Sequence, residues 1–141
     1  MQATPSTILA LDVGTKRIGV AASDLRARLA RPLLTLEAGE RTSQQLQSLV
    51  TEQGAVGLVI GLPRGLEGQE TAQTKLVRDF VETLKPHIRL PYYWQDEAVT
   101  SRQAEAELES RGKPYAKGDI DALSATYILE DFLRDHPEVQ I

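Results

Sequence analysis

The sequence contains no cysteine and only two histidines, His87 and His136. The first absence excludes a disulfide framework, thiolate zinc sites and a cysteine nucleophile, and it is compatible with a reducing compartment. The second leaves no histidine-rich metal site. Long apolar runs are missing as well: none approaches the roughly 18 residues of a membrane span. The N-terminus, Met1 to Thr7, does not join a basic stretch to a long apolar core, so no secretory signal is read there. A cytoplasmic protein without a membrane partner is the expectation. A positive net charge is also lacking. With 16 Lys plus Arg against 20 Asp plus Glu, the formal net charge is −4, which at face value argues against a polyanionic partner. What is there is a chain of 141 residues without repeats or low-complexity tracts, the size of a single domain over residues 1–141.

The order of elements is readable from pattern. Thr7 to Val13 and Ile18 to Ala22 are short apolar runs joined by Gly14-Thr15-Lys16-Arg17, which predicts a hairpin. Pro32 to Leu36 is a candidate third strand. Arg41 to Gln53 carries helix signals: Thr42 and Gln45 suggest a capping box, Leu46, Leu49 and Val50 share a face, and Gly54 stops it. Ala55 to Leu62 is continuously apolar or glycine, as in a strand covered on both faces. Glu70 to Leu84 has the clearest helical periodicity, and Leu90 to Gln95, with three consecutive aromatics, suits a strand. Thr100 with Gln103 opens a helix that Gly112 closes, and Asp119 to Leu133 is the last helix, with Asp119 as its natural N-cap. A hairpin followed by β-α-β crossovers implies an α/β fold, a mixed sheet with helices on its faces.

Three acids stand out by position. Asp12 and Glu97 fall at the C-terminal ends of predicted strands, the edge where α/β sheets carry their sites. Either also suits a turn or a solvated loop. Asp121 is more telling: with Ala125, Ile128 and Phe132 it forms one stripe of the last helix, and the rest of that stripe is apolar. A carboxylate facing a core is costly unless it is paired, protonated or bound to metal. Converging acids without Cys and with little His suit hard, oxygen-preferring ions such as Mg²⁺ or Mn²⁺. Two such ions can activate a water and stabilise the leaving oxygen of a phosphodiester. Asp12, Glu97 and Asp121 are therefore the candidate catalytic and metal-ligating residues.

Four segments then match a known pattern, in order and over nearly the whole chain. Asp12-Val13-Gly14-Thr15-Lys16-Arg17-Ile18-Gly19-Val20-Ala21 resembles the first motif of the YqgF/RuvX family of Holliday-junction-resolvase-like nucleases. Val59-Ile60-Gly61-Leu62-Pro63, with Gly68 after it, is similar to the family's Gly-Leu-Pro loop. Asp96-Glu97 with Thr100-Ser101 resembles its acidic strand-end motif. Ile120 to Ala125, followed by Ile128-Leu129 and Phe132-Leu133, resembles its terminal helix. The resemblance implies a ribonuclease-H-like fold, a five-stranded mixed β-sheet flanked by α-helices on both faces. It also implies a metal-dependent endonuclease built on Asp12, Glu97 and Asp121. The implied substrate is nucleic acid: the 5′ end of precursor small-subunit rRNA, or alternatively a branched four-way DNA junction. Two departures stand out. Ala98 replaces the Arg usual after the Asp-Glu pair, leaving Arg102 as a substitute, and the loop Arg64-Gly65-Leu66-Glu67-Gly68 gains a cation.

Split by region, the charge is uneven: +3 over residues 12–31, −1 over 32–94 and −6 over 95–141. A locally basic hairpin beside acidic groups is a candidate phosphate-binding rim. Lys16 and Arg17 flank Asp12, and Arg64, Arg102 and Lys117 are further candidates. Tyr92, Tyr93 and Trp94 are read as core aromatics rather than as a stacking surface. Two other classes of protein compete with a nuclease. Asp-x-Gly-Thr after a strand is also similar to the first phosphate loop of actin-like ATPases, but the chain has no room for their second domain. A non-catalytic nucleic-acid-binding scaffold is allowed by Ala98, while three retained acids argue against it. A junction resolvase makes paired cuts and so favours a homodimer, while trimming an RNA end is open to a monomer.

Overall fold

The computed structural model describes residues 6–26, 28–65, 67–97, 106–112 and 116–138. The chain opens with strands β1 (Thr7–Val13) and β2 (Arg17–Asp24), which pair as an antiparallel hairpin. The Gly14 N–H closes the turn on the Arg17 carbonyl at 2.9 Å. Strand β3 (Ala30–Glu37) adds to β2, again antiparallel. Helix α1 (Thr42–Gln53) leads into β4 (Ala55–Pro63), helix α2 (Ala72–Leu84) into β5 (Tyr92–Glu97), and both of these strands run parallel to β1. Residues 106–110 form a short helical stretch, α3, and α4 (Lys117–Asp135) is the longest element. The sheet order is β3-β2-β1-β4-β5, so the expected five-stranded mixed α/β sheet is present. No helix among the described residues is long and apolar enough to cross a membrane.

Strand alternation divides the core between the two faces of the sheet. Leu9, Leu11, Val20, Leu58 and Ile60 point to one face, under Leu46 of α1 and Val77 and Val81 of α2. Ile8, Ala10, Ala21 and Val59 point to the other, against Ala125, Ile128, Leu129 and Phe132 of α4. Beneath α4 lie Gly19 and Gly61, so the helix comes down close onto the strands there. At Gly19 an added Cβ would stand 2.0 Å from the Asp121 carbonyl oxygen and 2.8 Å from the Ala122 nitrogen. At Gly61 it would stand 2.5 Å from Ile128 Cδ1. These two glycines fix the height of α4 over the sheet.

Three local expectations are corrected. Thr42 does not cap α1. It sits inside the helix after Arg41, and its hydroxyl accepts from the Gly39 N–H at 2.8 Å and donates to the Glu37 carbonyl at 3.1 Å. Thr42 is buried, and the backbone of the turn from β3 satisfies its hydroxyl. Helix α2 starts at Ala72, not Glu70. Thr71 and Thr74 form its reciprocal cap, while Glu70 pairs with Arg78 at 2.6 Å. Asp119 is not the N-cap of α4, which begins two residues earlier. Its carboxylate reaches back to the Ala116 N–H at 2.9 Å, satisfying one of the free donors of the first turn. The predicted start of the helix at Thr100 lies outside the described residues.

Gly19→Ala should therefore cost about 3 kcal/mol or more, lowering Tm by roughly 10 °C, because backbone rather than a flexible side chain meets the new methyl. Gly39→Ala, where nothing lies within 4 Å, should leave Tm almost unchanged. Thermal unfolding followed by circular dichroism checks both.

Candidate active site

The parity of β1 that buries Ile8 and Ala10 under α4 carries Asp12 onto the same face, at the strand's C-terminal end. Asp12 pairs in register with Gly19 on β2. On its other side, Gly61 follows Ile60, the register partner of Leu11. A row of glycine, aspartate and glycine thus lies beneath the first turns of α4. Because the α4 backbone at Asp121 rests against Gly19, Asp121 comes in above Asp12. On β5, Tyr93, Gln95 and Glu97 share this face, and Glu97 ends the strand beside Pro63. An added Cβ on Gly61 would lie 3.4 Å from Glu97 Oε2, so Glu97 leans back over the row.

The result is a cleft of about 230 Å³ lined by Asp12, Val13, Gly14, Pro63, Gln73, Glu97 and Asp121. All three acids singled out by pattern line it. Two wider hollows flank β3, but neither touches any of the three. The Asp12 and Glu97 carboxyl groups share a hydrogen bond, which requires a proton between them. Burial, then the neighbouring charge and hydrogen bond of Glu97, then the charge of Asp121, push the Asp12 carboxyl up from 3.8 to about 8. Asp121 is held from the solvent side by Arg17, whose Nε donates to Oδ2 at 2.6 Å. Among the described residues no three carboxylate or imidazole groups close around one point. The side chains available to hold a cation are Asp12 and Glu97, with Asp121 alongside. The donors are all oxygen, and they repel one another strongly enough to retain a proton, which is the chemistry a hard divalent ion relieves.

The basic candidates are distributed differently. Arg17 is a partner of Asp121. Lys16 lies exposed in the hairpin turn, and no ion pair forms at it among the described residues. Arg64 stands over the end of β5 and pairs with Asp96 at 3.3 Å. Lys117 is exposed one helical turn before Asp121. Arg102 and Ala98 lie outside the described residues. Part of the basic hairpin is architectural. Arg28, in a left-handed conformation (φ 54°), turns back to donate to the Leu133 and His136 carbonyls at the end of α4. Sequence reasoning missed Gln73, whose side-chain amide donates to the Val13 carbonyl at 3.2 Å and forms one wall of the cleft. Nothing separates it in the sequence from the other polar residues of α2.

Asp12→Asn should stabilise the fold by an amount that depends on pH. Between pH 3.8 and about 8 the folded state retains a proton that the unfolded state releases, so Asp12 costs stability progressively as pH rises through that window. Asparagine keeps the hydrogen bond to Glu97 without the charge. The variant should melt several degrees above the unsubstituted protein at pH 8 in chelator, and with no such gain at pH 4. An equal gain at both values would contradict this reading of the cleft.

Comparisons with known proteins bear on the family and the fold. The sequence model described as "RuvX: Holliday junction resolvase" matches residues 6–135. A protein of Chloroflexus aurantiacus named "Putative pre-16S rRNA nuclease" is 43% identical over 130 residues, covering 89% of this chain and 85% of that protein. One of the same name from Roseiflexus sp. is 38% identical over 137 residues, covering 94% and 97%. Among solved structures, Thermus thermophilus RuvC in complex with a Holliday junction superposes with a TM-score of 0.60 at 14% identity, over 96% of this chain and 98% of that one. The fowlpox virus Holliday junction resolvase gives 0.51 at 9% identity, over 94% and 99%. Those two likenesses establish the fold, which is the ribonuclease-H-like fold of the resolvases. The sequence match goes further: the chain belongs to the RuvX family.

Proposed function

We propose that this protein is a divalent-metal-dependent endonuclease that hydrolyses phosphodiester bonds at the 5′ end of precursor 16S rRNA. The observation that carries the proposal is the crowding of Asp12 against Glu97 and Asp121 in a cleft at the sheet's C-terminal edge. Such crowding is unfavourable for folding and has a chemical use when a cation is bound. The relatives' names supply the substrate class. In this reading Asp12, Glu97 and Asp121 hold Mg²⁺ or Mn²⁺. Such ions, two in the usual arrangement, would supply Lewis-acid chemistry there, lowering the pKa of a water and offsetting charge on the leaving oxygen.

The chain's own groups do the rest. Arg17 restrains Asp121 and presents its guanidinium at the cleft mouth, where a phosphate oxygen can share it. Lys16, beside Arg17 in the hairpin turn, and Lys117, one helical turn before Asp121, attract the phosphate backbone at one face only, so binding is weak and salt-sensitive, while Arg64 is already paired with Asp96. Gln73 ties α2 to the end of β1, keeping the Asp12 carboxyl aligned. In the reaction water attacks phosphorus, the bond from phosphorus to the leaving oxygen breaks, and the water proton passes to solvent and on to that oxygen.

A second substrate, the four-way DNA junction, is favoured by the description of the family and by the likeness of the fold to RuvC. One assay separates the readings. Labelled precursor rRNA 5′ fragments and four-way junctions are incubated with Mn²⁺, Mg²⁺ or chelator. The rRNA fragment should be cut with either ion and not in chelator. Asp12→Asn and Asp121→Asn should each reduce the rate at least about 100-fold, more than the loss that follows removal of a group merely supporting a metal ligand. Cleavage of the junction alone transfers the proposal to the second substrate. Cleavage surviving in chelator or in Asp12→Asn contradicts both.

A further inference from the structure

The edge of the sheet next to the cleft carries a feature that catalysis does not use. Among the described residues, the large apolar side chains left exposed are Leu29 and Trp94. Strand alternation explains why the aromatics of β5 part company. Tyr92 packs into the core under α2, and Tyr93 packs into the core under α4 against Phe132, with 5.1 Å between ring centroids. Trp94 points to the α2 face like Tyr92, but on this edge strand it is covered only in part. It stays 37% exposed. Arg78 of α2 lies over its ring, with the guanidinium carbon 5.2 Å from the centroid. Glu70 pins that guanidinium at 2.6 Å. The indole is therefore held in one orientation while part of its surface remains open.

The pair is close to the cleft. Trp94 is three residues back from Glu97 on an extended strand, about 10 Å, and alternation places it on the opposite, α2 face of the sheet, so a nucleic-acid strand leaving the cleft reaches it by crossing the end of β5. Arg78 is five residues along α2 from Gln73, about 7.5 Å. Arg64, just past the end of β4, joins this strip through its bond to Asp96 of β5. Each arginine of this strip already has a carboxylate partner, so the strip carries little net charge and is not an electrostatic grip. A fixed, partly open indole beside a site for nucleic acid is suited to stacking, a contact that any base can make because every base has a π-face.

We propose that Trp94, oriented by Arg78, is a stacking platform for an unpaired nucleobase of the substrate strand where it leaves the acidic cleft. This rests on the reading of the cleft as a nuclease site and adds a preference for single-stranded nucleic acid beside the cut.

Trp94 is the sole tryptophan, so indole fluorescence reports on this position alone. Full-length Asp12→Asn protein, which does not cleave, is titrated with an end-labelled short single-stranded RNA. Label anisotropy follows binding and tryptophan quenching follows stacking. Both should saturate together, whereas a blunt duplex of the same sequence should bind without the quench. In the same background Trp94→Leu should weaken single-strand binding about tenfold. It should leave the slope of log affinity against log salt unchanged, since no phosphate contact is lost. Trp94→Tyr should stay within about twofold. Anisotropy that rises without quenching, equal quenching by the duplex, or full affinity in Trp94→Leu would overturn the stacking platform and leave the nuclease reading intact. If neither RNA binds, the nuclease reading falls and the platform with it.

Discussion

The contact on which the structure depends is the one between the α4 backbone and β2 at Gly19. A helix normally rides above a sheet on its side chains. Here the Asp121 carbonyl comes within reach of the strand itself, because glycine is what lies beneath it. That single approach aligns the apolar stripe of Ala125, Ile128 and Phe132 over Ala10, Ala21 and Val59, and it seals one core. It also carries the one acidic member of the stripe to the open end of the sheet, above Asp12. Packing and site are thus the same feature, and a change that lifts α4 disturbs both.

Bringing carboxylates together in this way has an electrostatic cost. Asp12 retains a proton far above the ordinary aspartate range, Glu97 shares it, and Asp121 is held by Arg17. The fold tolerates the arrangement because the surrounding cores are well filled and the cluster sits at an edge rather than in the middle of the sheet. The net charge of −4 takes on a different meaning in this light. The acidic excess lies in the C-terminal third, which supplies Glu97 and Asp121, while the hairpin at the cleft mouth is locally basic. On the proposed function, such a protein would hold nucleic acid at one face through a few cations. It lacks the broad positive surface of a protein that grips nucleic acid by charge alone.

Much of this was legible in the sequence because periodicity is a local signal. The hairpin, the doubly covered β4, the helical period of α2 and the acidic member of the α4 stripe all follow from spacing. The four-motif resemblance pointed to the same family as the sequence match. What escaped depends on which residues meet across the fold. Gly19 reads as one small residue in a strand, and only the arrival of Asp121 more than a hundred residues later gives it meaning. Arg28 reads as part of a basic patch, but its left-handed backbone sends it to the end of α4. Arg17 reads as a free cation and is Asp121's partner. Thr42 has the sequence of a cap, yet the turn before it takes its hydroxyl. Trp94 looks like its neighbours Tyr92 and Tyr93, and only its partial cover on the edge strand, beneath Arg78, separates it from them. Helix boundaries moved by two residues for a similar reason, since a cap is decided by which partner is nearest in space.

The central claim is that Asp12 is a carboxyl forced to keep a proton by the groups that a cation would bring to order. Carboxyl ¹³C NMR of Asp12, titrated with and without Mg²⁺, measures this directly. The account predicts a metal-free midpoint far above the usual aspartate range, near 8, and a fall to or below the ordinary value of 3.8 once Mg²⁺ is added. An ordinary midpoint in metal-free protein, or a raised one that Mg²⁺ leaves unchanged, would contradict it.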